Sequence, residues 1–289
     1  MTRPSICAHA VRAVAVLLAA TVAIAQPSSH DTARPTAAPS WQAVAPGVEY
    51  AVADVASVAG EPGPVALHAL RLDLAEVRLE LALAGDRSPA LERVDAIAAR
   101  HGAIAAVNAG FFLPRGRPAG LMKFDGRLLA PGLHPRAALA ITPPGAVTID
   151  RVRPAMTSWL AWGPVWPLTW FETGHGSSPL AWIAADDAVG GAGLIVKDGR
   201  PISEWAGEGV REDFRTTRHP RTLAGVDGRG RLWLLAIDGR QPGYSLGASF
   251  AALARIAAHL GLVDAVNLDG GGSTTMVVRG QIVNRPSAL

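Results

Sequence analysis

The sequence is short of cysteine and of net charge, and each shortage excludes a class of protein. Its 289 residues include one cysteine, Cys7, so no internal disulfide can form, and no Cys/His cluster has zinc-site spacing. Basic residues outnumber acidic ones by 27 to 24 without forming a basic block, so we expect no nucleic-acid partner. Hydrophobic residues make up 49% of the chain and charged residues 18%, which indicates a globular protein stabilised by its core.

The first 25 residues show the order of features typical of a secretory signal peptide. Arg3 and Arg12 precede an apolar run at 13–24, and small residues lead up to Gln26. The run is too short to cross a bilayer comfortably, although an uncleaved anchor is the alternative. We therefore predict cleavage after Ala25 and an exported protein, periplasmic or secreted, with no stable membrane span.

The rest of the chain predicts a linker followed by one domain. Residues 26–46 carry four prolines among Ser, Thr and Ala, which is typical of a linker, and the domain is expected at 47–289. Alternating apolar runs separated by Asp-Gly turns predict strands and hairpins, with tips at Asp125-Gly126, Asp198-Gly199 and Asp227-Gly228. Helices are expected at 89–101 and at 249–260, the second ending at Gly261. The fold class predicted is α+β, with a strand-rich mixed-sheet core and a few packed helices.

Two segments of the chain resemble each other. Each of the two predicted helices is followed by a glycine, a buried strand, an asparagine and a further glycine; the asparagines are Asn108 and Asn267. A short hairpin then follows each segment. The similarity raises the hypothesis of an internal duplication with pseudo-twofold symmetry, which would place Asn108 and Asn267 close together at the centre of one sheet.

The stretch from Asn267 to Thr275 is the most informative in the sequence. A predicted strand delivers Asn267 and Asp269, and three glycines then let the backbone approach a ligand closely. The glycines are Gly270, Gly271 and Gly272, and the hydroxyls of Ser273 and Thr274 follow them. The arrangement suits a sugar or a phosphate, or a hard cation held by Asp269 and Asn267. A glycine-rich turn without a ligand is the alternative, and the sequence itself requires no cofactor.

A second strand end brings Asp238 and Arg240 together after the apolar run at 232–237. Arg240 and Arg221 would both suit a phosphate, because a guanidinium offers paired donors in a rigid fork. An ion pair between Asp238 and Arg240 that holds a loop is the alternative.

Aromatic residues leave two alternatives open. Five of the eight tryptophans fall in one region, namely Trp159, Trp162, Trp166, Trp170 and Trp182. They could line a sugar-stacking loop or form a hydrophobic lid or partner surface. Phe111 and Phe112 are expected in the core, and His219 is expected to be structural.

Taken together, the ordered motifs resemble the phosphodiester glycosidase family. The resemblance covers residues 65–285 and rests on Asn108-Ala109-Gly110-Phe111-Phe112, His219-Pro220-Arg221-Thr222, Asp238-Gly239-Arg240 and the stretch from Asn267 to Ser273. It implies hydrolysis of the bond between a sugar and a phosphodiester, with a glycan or sugar-phosphodiester substrate. It also implies a place in cell-surface or exopolysaccharide metabolism.

The resemblance also implies roles for the candidate residues. Asp269 would be the nucleophile, base or electrostatic stabiliser, and Asp238 would take the second carboxyl role. Arg221 and Arg240 would bind the phosphate. The remaining residues expected to bind substrate are Asn108, Thr222, Asn267, Gly270, Gly271, Gly272, Ser273 and Thr274.

Two other functions compete with this interpretation. A non-catalytic polysaccharide-binding or export-assembly protein would use the same cleft and bind glycan without turnover. An aspartic protease would need a second Asp-Thr/Ser-Gly loop, but the matching segment offers Asn108-Ala109-Gly110, so the shared-proton carboxyl pair cannot form.

Overall fold

The computed structural model describes residues 13–19, 39–132, 134–143, 145–156 and 169–287. The strands within these residues, in chain order, are β1 (Ala13–Ala19), β2 (Gln42–Ala45), β3 (Val48–Asp54), β4 (Ala66–Leu72), β5 (Val77–Leu83), β6 (Ala105–Gly110), β7 (Phe112–Leu113), β8 (Arg117–Pro118), β9 (Leu121–Phe124), β10 (Arg127–Pro131), β11 (Arg136–Thr142), β12 (Ala146–Met156), β13 (Thr169–Thr173), β14 (Asp187–Gly190), β15 (Leu194–Lys197), β16 (Arg200–Pro201), β17 (Arg221–Asp227), β18 (Leu232–Ile237), β19 (Leu262–Asn267), β20 (Met276–Val278) and β21 (Gln281–Ile282). The α-helices are α1 (Ala56–Ala59), α2 (Val94–Arg100), α3 (Pro179–Ala184), α4 (Glu212–Thr216) and α5 (Phe250–His259). Short 3₁₀ turns lie at Ala84–Asp86, Pro114–Gly116, Ala206–Glu208 and Gly271–Ser273.

Three larger sheets and one two-stranded ribbon contain these strands. The eight-stranded sheet has the order β16-β15-β19-β17-β18-β4-β3-β2, and its pairs are antiparallel. The six-stranded sheet has the order β10-β9-β14-β11-β12-β13, and the five-stranded sheet has the order β21-β20-β6-β1-β5. In the latter, β1 runs parallel to β5 and β6, whereas β20 is antiparallel to β6. The strand-rich α+β fold class is confirmed.

The eight-stranded sheet is buried on both faces, as alternation along β18 shows. Leu235 belongs to a core cluster with Leu253 of α5, whereas its neighbour Leu234 belongs to another cluster with Val107 and Leu139 from the other two sheets. Because successive side chains of a strand point to opposite faces, one strand contributes to both cores. The continuous apolar run at 232–237 is therefore that of a fully covered strand.

Local signals place most turns and one helix correctly. The helix predicted at 249–260 is α5, and Gly261 takes φ +79° after its end, as predicted. Ser249 caps this helix, its hydroxyl accepting from Ala252 N at 3.2 Å. Asp125-Gly126 and Asp198-Gly199 form two-residue hairpin tips in the left-handed region.

Two local predictions are wrong in their bounds. The first helix begins at Val94 rather than at residue 89, because the extended backbone of Arg93 precedes it and Leu91 stays exposed. The predicted tip at Asp227-Gly228 is a longer loop, in which Gly230 takes the positive φ and Asp227 Oδ1 accepts from Arg229 N and Arg231 N.

The N-terminal predictions fall mostly outside the described residues. Residues 13–19, inside the predicted signal peptide, form β1, and the cleavage site at Ala25 lies outside the described part, so the signal peptide stays a prediction. The strand at Gln42–Ala45 pairs with β3 and extends the folded domain into the predicted linker. None of the described helices has the length and apolar character needed to cross a bilayer.

The two similar asparagines lie in different sheets. Asn108 is on β6 of the five-stranded sheet and Asn267 ends β19 of the eight-stranded sheet, so the expectation of one shared sheet is wrong. The segments nevertheless meet, since Asp269 N donates to Ala109 O at 2.8 Å. An internal duplication stays a hypothesis.

Candidate active site

Asp269 lies where the ends of β19 and β6 meet. Asn108 Nδ2 donates to Asp269 O at 2.7 Å, which adds to the bond from Asp269 N to Ala109 and fixes the backbone of the turn. The carboxylate is half-buried, and its Oδ1 accepts from Gly270 N at 2.8 Å. Burial raises the pKa of Asp269 to about 6, although hydrogen bonds from Ser273 and Gly270 act in the opposite direction.

The glycines after Asp269 let two chain segments pass at close range. A Cβ on Gly270 would lie 2.6 Å from Pro220 O, and one on Gly271 would lie 3.1 Å from Arg240 Nη2. Gly271 also has φ +62°, and its N–H donates to Pro220 O at 2.9 Å. The run therefore brings the Asp269 turn against both Pro220 and Arg240.

Most of the residues predicted to bind substrate are buried around this turn. The buried ones are Asn108, Thr222, Asn267, Gly272, Ser273 and Thr274. Asn108 Oδ1 accepts from Thr222 Oγ1 at 2.7 Å and from Thr275 N at 3.1 Å, and Asn267 Nδ2 donates to Ala192 O at 3.0 Å. The burial and hydrogen bonds of Asn108, Thr222 and Asn267 fit a role in positioning the turn rather than direct contact with sugar hydroxyls, whereas the buried Thr274 Oγ1 has no hydrogen-bond partner among the described residues.

A cation site at Asp269 and Asn267 stays a hypothesis. The buried Asn267 Oδ1 has no hydrogen-bond partner in the described part of the chain, so one oxygen ligand is free. Within the described residues, however, no group of three or more His, Cys, Asp or Glu side chains could hold a metal ion.

Arg240 is the exposed cation of the site. It has φ +60°, a conformation that is strained for a residue with a side chain, and its Nη2 lies 3.4 Å from His219 Nδ1. Among the described residues no carboxylate pairs with it, and the ion pair with Asp238, which was the alternative interpretation, is not formed. Arg240 is therefore available to an anionic ligand.

Arg221 is buried and does not fit a direct contact with phosphate. Its side chain is 0% exposed, Nε donates to Ala248 O at 2.9 Å, and Nη2 donates to Phe214 O and Thr217 O. The guanidinium also lies 4.6 Å from the Phe214 ring centroid. Burial lowers the pKa of Arg221 to about 9. Arg221 thus holds the segment before β17, and its buried Nη1 has no hydrogen-bond partner among the described residues.

Asp238 is also buried, and its carboxylate is saturated with hydrogen bonds. Oδ1 accepts from Asn284 Nδ2 at 2.9 Å, Oδ2 accepts from Tyr244 Oη at 3.1 Å, and both oxygens accept from Arg285 N. His68 Nε2 lies 3.3 Å from Oδ2. A carboxylate enclosed in this way fastens the C-terminal segment and does not fit the predicted second carboxyl role.

A cavity of about 500 Å³ has His219 in its lining, and the Nδ1 atom of His219 lies 3.4 Å from Arg240 Nη2. The lining also includes the aromatic residues Phe111 and Phe214 and the charged residues Arg136, Arg211 and Asp213. The His219 ring stacks on Phe214 with centroids 5.8 Å apart, and Phe111 meets Phe214 edge to face at 6.0 Å. Arg211 is paired with Asp213 at 2.7 Å and Arg136 Nε donates to Glu208 O, so the aromatic faces are the feature of this cavity that suits a ligand with rings.

One buried carboxylate, that of Glu208, anchors the wall of this cavity. Its oxygens accept from Ala137 N, Gly193 N and Leu194 N at 2.9–3.0 Å, and from Arg151 Nε at 2.7 Å. These partners belong to β11, to β12, and to β15 with the residue before it, so Glu208 ties the six-stranded sheet to the eight-stranded one.

Three cavity residues are not among the predicted ligands. His219 and Phe111 were expected to be structural, and Phe214 lies in a helix, α4, that the sequence did not predict. The available signals were the places of His219 beside Pro220-Arg221 and of Phe111 next to Asn108-Ala109-Gly110, since both segments reach the site. A half-buried aromatic cannot be told from a core aromatic by sequence pattern alone.

The tryptophan-rich region gives one firm result. The side chains of Trp159, Trp162, Trp166 and Trp170 lie outside the described residues. Trp182 is fully buried and its Nε1 donates to Ser177 Oγ at 3.0 Å. Trp182 is therefore a core residue and not a sugar platform.

Comparisons with known proteins give one family. The family model for phosphodiester glycosidases matches residues 101–289, well over half of the chain, and all the predicted site residues lie inside this match. The bovine (Bos taurus) protein N-acetylglucosamine-1-phosphodiester alpha-N-acetylglucosaminidase is 39% identical over 67 residues, which are 23% of this chain and 12% of the bovine protein.

Two solved structures share the fold. A Synechocystis protein superposes with a TM-score of 0.64 at 20% identity, over 87% of this chain and 61% of that protein. The zebrafish N-acetylglucosamine-1-phosphodiester alpha-N-acetylglucosaminidase catalytic domain superposes with a TM-score of 0.60 at 20% identity, over 86% of this chain and 81% of that domain. The chain thus matches a small part of the bovine relative and less than two thirds of the Synechocystis protein.

Proposed function

Because the chain belongs to the phosphodiester glycosidase family, we propose that it hydrolyses the bond between the anomeric carbon of a sugar and the oxygen of a phosphodiester. The products would be a free sugar and a phosphomonoester.

The observation that carries the proposal is the environment of Asp269. Its carboxyl is half-buried at the end of a strand and has a pKa of about 6, so it titrates near neutral pH. The backbone around it is fixed by Asn108 and Ala109, which lie on another sheet. A reactive carboxyl held in a fixed position is what hydrolysis at an anomeric carbon requires.

The second supporting feature is the positive charge of the arginines at the site. Arg240 lies against Gly271, two residues from Asp269, and has no carboxylate partner in the described part of the chain. A guanidinium there would neutralise the charge that develops on a departing phosphate. Buried Arg221 adds a positive field without contact.

In the reaction, water adds to the anomeric carbon while the bond from that carbon to the phosphate oxygen breaks. The bonding electrons leave with the phosphomonoester, which Arg240 binds. Ionised Asp269 either takes the proton from the attacking water or stabilises the positive charge that develops on the sugar. Phosphate is a good leaving group, so a second carboxyl acting as an acid is not needed, in agreement with the enclosed position of Asp238.

We place this activity outside the cytoplasm, in cell-surface or exopolysaccharide metabolism. The support is the signal-peptide pattern of the first 25 residues together with the family.

The test is release of free sugar from a panel of sugar-1-phosphodiesters, including nucleotide sugars, in ¹⁸O-labelled water. The proposal expects the label in the sugar, because the carbon–oxygen bond breaks. Label found in the phosphate instead would show phosphodiester cleavage at phosphorus and overturn the proposal. Glycan binding by calorimetry without any turnover would favour a binding protein, and a parallel assay with chelator tests the cation hypothesis.

A further inference from the structure

His219 lies between the cavity and the Asp269 turn. It lines the cavity, stacks on Phe214, and is fixed at its backbone, since His219 N and Ala248 N each donate to the other's carbonyl at 3.3 and 3.0 Å. Its ring orientation is therefore set by contacts on two sides.

Arg240 selects which ring nitrogen of His219 carries the proton. Nδ1 lies 3.4 Å from Arg240 Nη2, and a guanidinium can only donate, so Nδ1 accepts. In the neutral ring the proton then lies on Nε2. Within the described residues Nε2 has no hydrogen-bond partner, which leaves it to a ligand in the cavity.

The charges around His219 keep the ring neutral at pH 7. The groups that face it are Arg221 from β17, Arg240 from the segment after β18, and Asp213 from α4. Burial lowers the pKa of His219 below its ordinary 6.5, the two arginines lower it further, and Asp213 acts weakly in the other direction.

We propose that His219 binds the phosphate of the substrate through its Nε2–H as an uncharged donor, with its tautomer set by Arg240. The inference rests on the proposed function for the identity of the anion. A phosphodiester carries one negative charge, whereas a phosphomonoester carries up to two near neutral pH. One cation and one neutral donor match the substrate better than the product, so the product is released, whereas a cationic histidine would retain it.

The first experiment needs no turnover. The ¹⁵N-labelled protein is titrated in long-range ¹H–¹⁵N spectra, with the His219 signals assigned by their loss in His219→Gln. We expect a neutral ring protonated at Nε2 at pH 7, and a shift of its resonances on adding inorganic phosphate. His134, which like His219 is followed by Pro and Arg in the sequence but does not line the cavity, is the internal control and should not shift. A proton on Nδ1, a cationic ring at pH 7, or resonances that phosphate leaves unchanged would each overturn the proposal.

The second experiment uses the enzyme assay. His219→Ala should lower kcat/KM about 10- to 100-fold, whereas His219→Gln, which keeps an N–H donor, should stay within about 5-fold of the parent. His134→Ala should match the parent. Inhibition by inorganic phosphate should strengthen as the pH falls through the His219 midpoint in the parent but not in His219→Gln. Equal losses in the Ala and Gln variants would contradict a donor role.

The two experiments separate this inference from the proposed function. A chain that releases no sugar but shows the Nε2–H tautomer and the phosphate shift would refute the function and keep the His219 assignment. The reverse result would refute only the assignment.

Discussion

Asp238 and Asp269 each follow a strand that pairs with β17, one on either side of it. Both lie in sequences that suggest a site, since an arginine or a run of glycines follows. Asp238 is fully buried and accepts hydrogen bonds from Asn284, Tyr244 and Arg285. Asp269 is half-buried, and the N–H of Gly270 and the hydroxyl of Ser273 are its donors.

The difference shows what separates a structural carboxylate from a reactive one. At Asp238, donors from several distant segments surround the carboxylate. At Asp269 burial raises the pKa, and the few donors present do not offset it. The fold thus encloses one carboxylate in hydrogen bonds and leaves the other to react.

If the two carboxylates differ in this way, the largest expected effect is that of an Asp269 substitution on activity. Asp269→Asn should lower kcat/KM by about 10³-fold or more, since the ionised carboxylate is lost while the fold remains. Sugar release, with circular dichroism as the folding control, measures this. Parental activity in a folded Asp269→Asn protein would remove Asp269 from the mechanism.

Asp238→Ala should instead act on stability. Removing the carboxylate takes one acceptor from the buried Asn284 Nδ2, which keeps Thr274 O, and takes away the acceptor shared by Tyr244 Oη and Arg285 N, so the free energy of unfolding should fall by about 3–5 kcal/mol. Urea denaturation measures the loss, with Asp269→Ala as the matched control, expected to cost far less. Equal losses in the two variants would show that the two carboxylates do not differ in this way.

A substitution at Arg240 tests whether a residue with a strained backbone is also required for activity. Arg240→Gly should relieve the positive φ and raise stability by about 0.5–1 kcal/mol, yet lower kcat/KM about 10- to 100-fold because the phosphate loses its cation. Arg115 is an exposed arginine with φ +66° away from the cavity. Arg115→Gly should give the same stability gain with parental activity. Full activity in Arg240→Gly would contradict its role.

The last effect is a pH-dependent one. The folded pKa of Asp269, about 6, exceeds its ordinary value of 3.8, so the parent loses stability as the pH rises from about 4 to 6, and the loss is complete above pH 6. Asp269→Asn should therefore be more stable than the parent by up to about 3 kcal/mol at pH 8, at about 1.4 kcal/mol per pKa unit, and the difference should disappear as the pH falls from 6 to 4. Thermal unfolding across this range checks the sign. A difference that grows toward low pH would show a lowered pKa.

The sequence predicts features that depend on neighbouring residues. The tips at Asp125-Gly126 and Asp198-Gly199 and the ends of α5 follow from local backbone preferences, and the glycine run correctly marks Asp269 as the end of a strand beside a close approach. The family resemblance, carried by several ordered motifs, is confirmed.

Features that depend on distant residues were not predictable in this way. The enclosure of Asp238 involves His68, Tyr244 and Asn284, which lie far apart in the chain. The burial of Arg221 likewise depends on Phe250 and Ala248, more than twenty residues away. The sequence pattern around an arginine next to a site is the same whether its guanidinium faces the ligand or the core.

The anchoring of Glu208 has a consequence for how such an enzyme could be altered. The segment from 209 to 220 forms one wall of the cavity, and it is fastened at one end by Glu208 to two sheets and at the other by Arg221 to backbone carbonyls. Between the anchors, Phe214 packs against the Arg221 guanidinium and Pro220 O accepts from Gly271 N of the Asp269 turn, so these residues must be kept. The side chains at 210–213 take part in neither anchor and can be exchanged between related chains, which offers a direct route to engineering the choice of substrate while the sheets and the Asp269 turn remain unchanged.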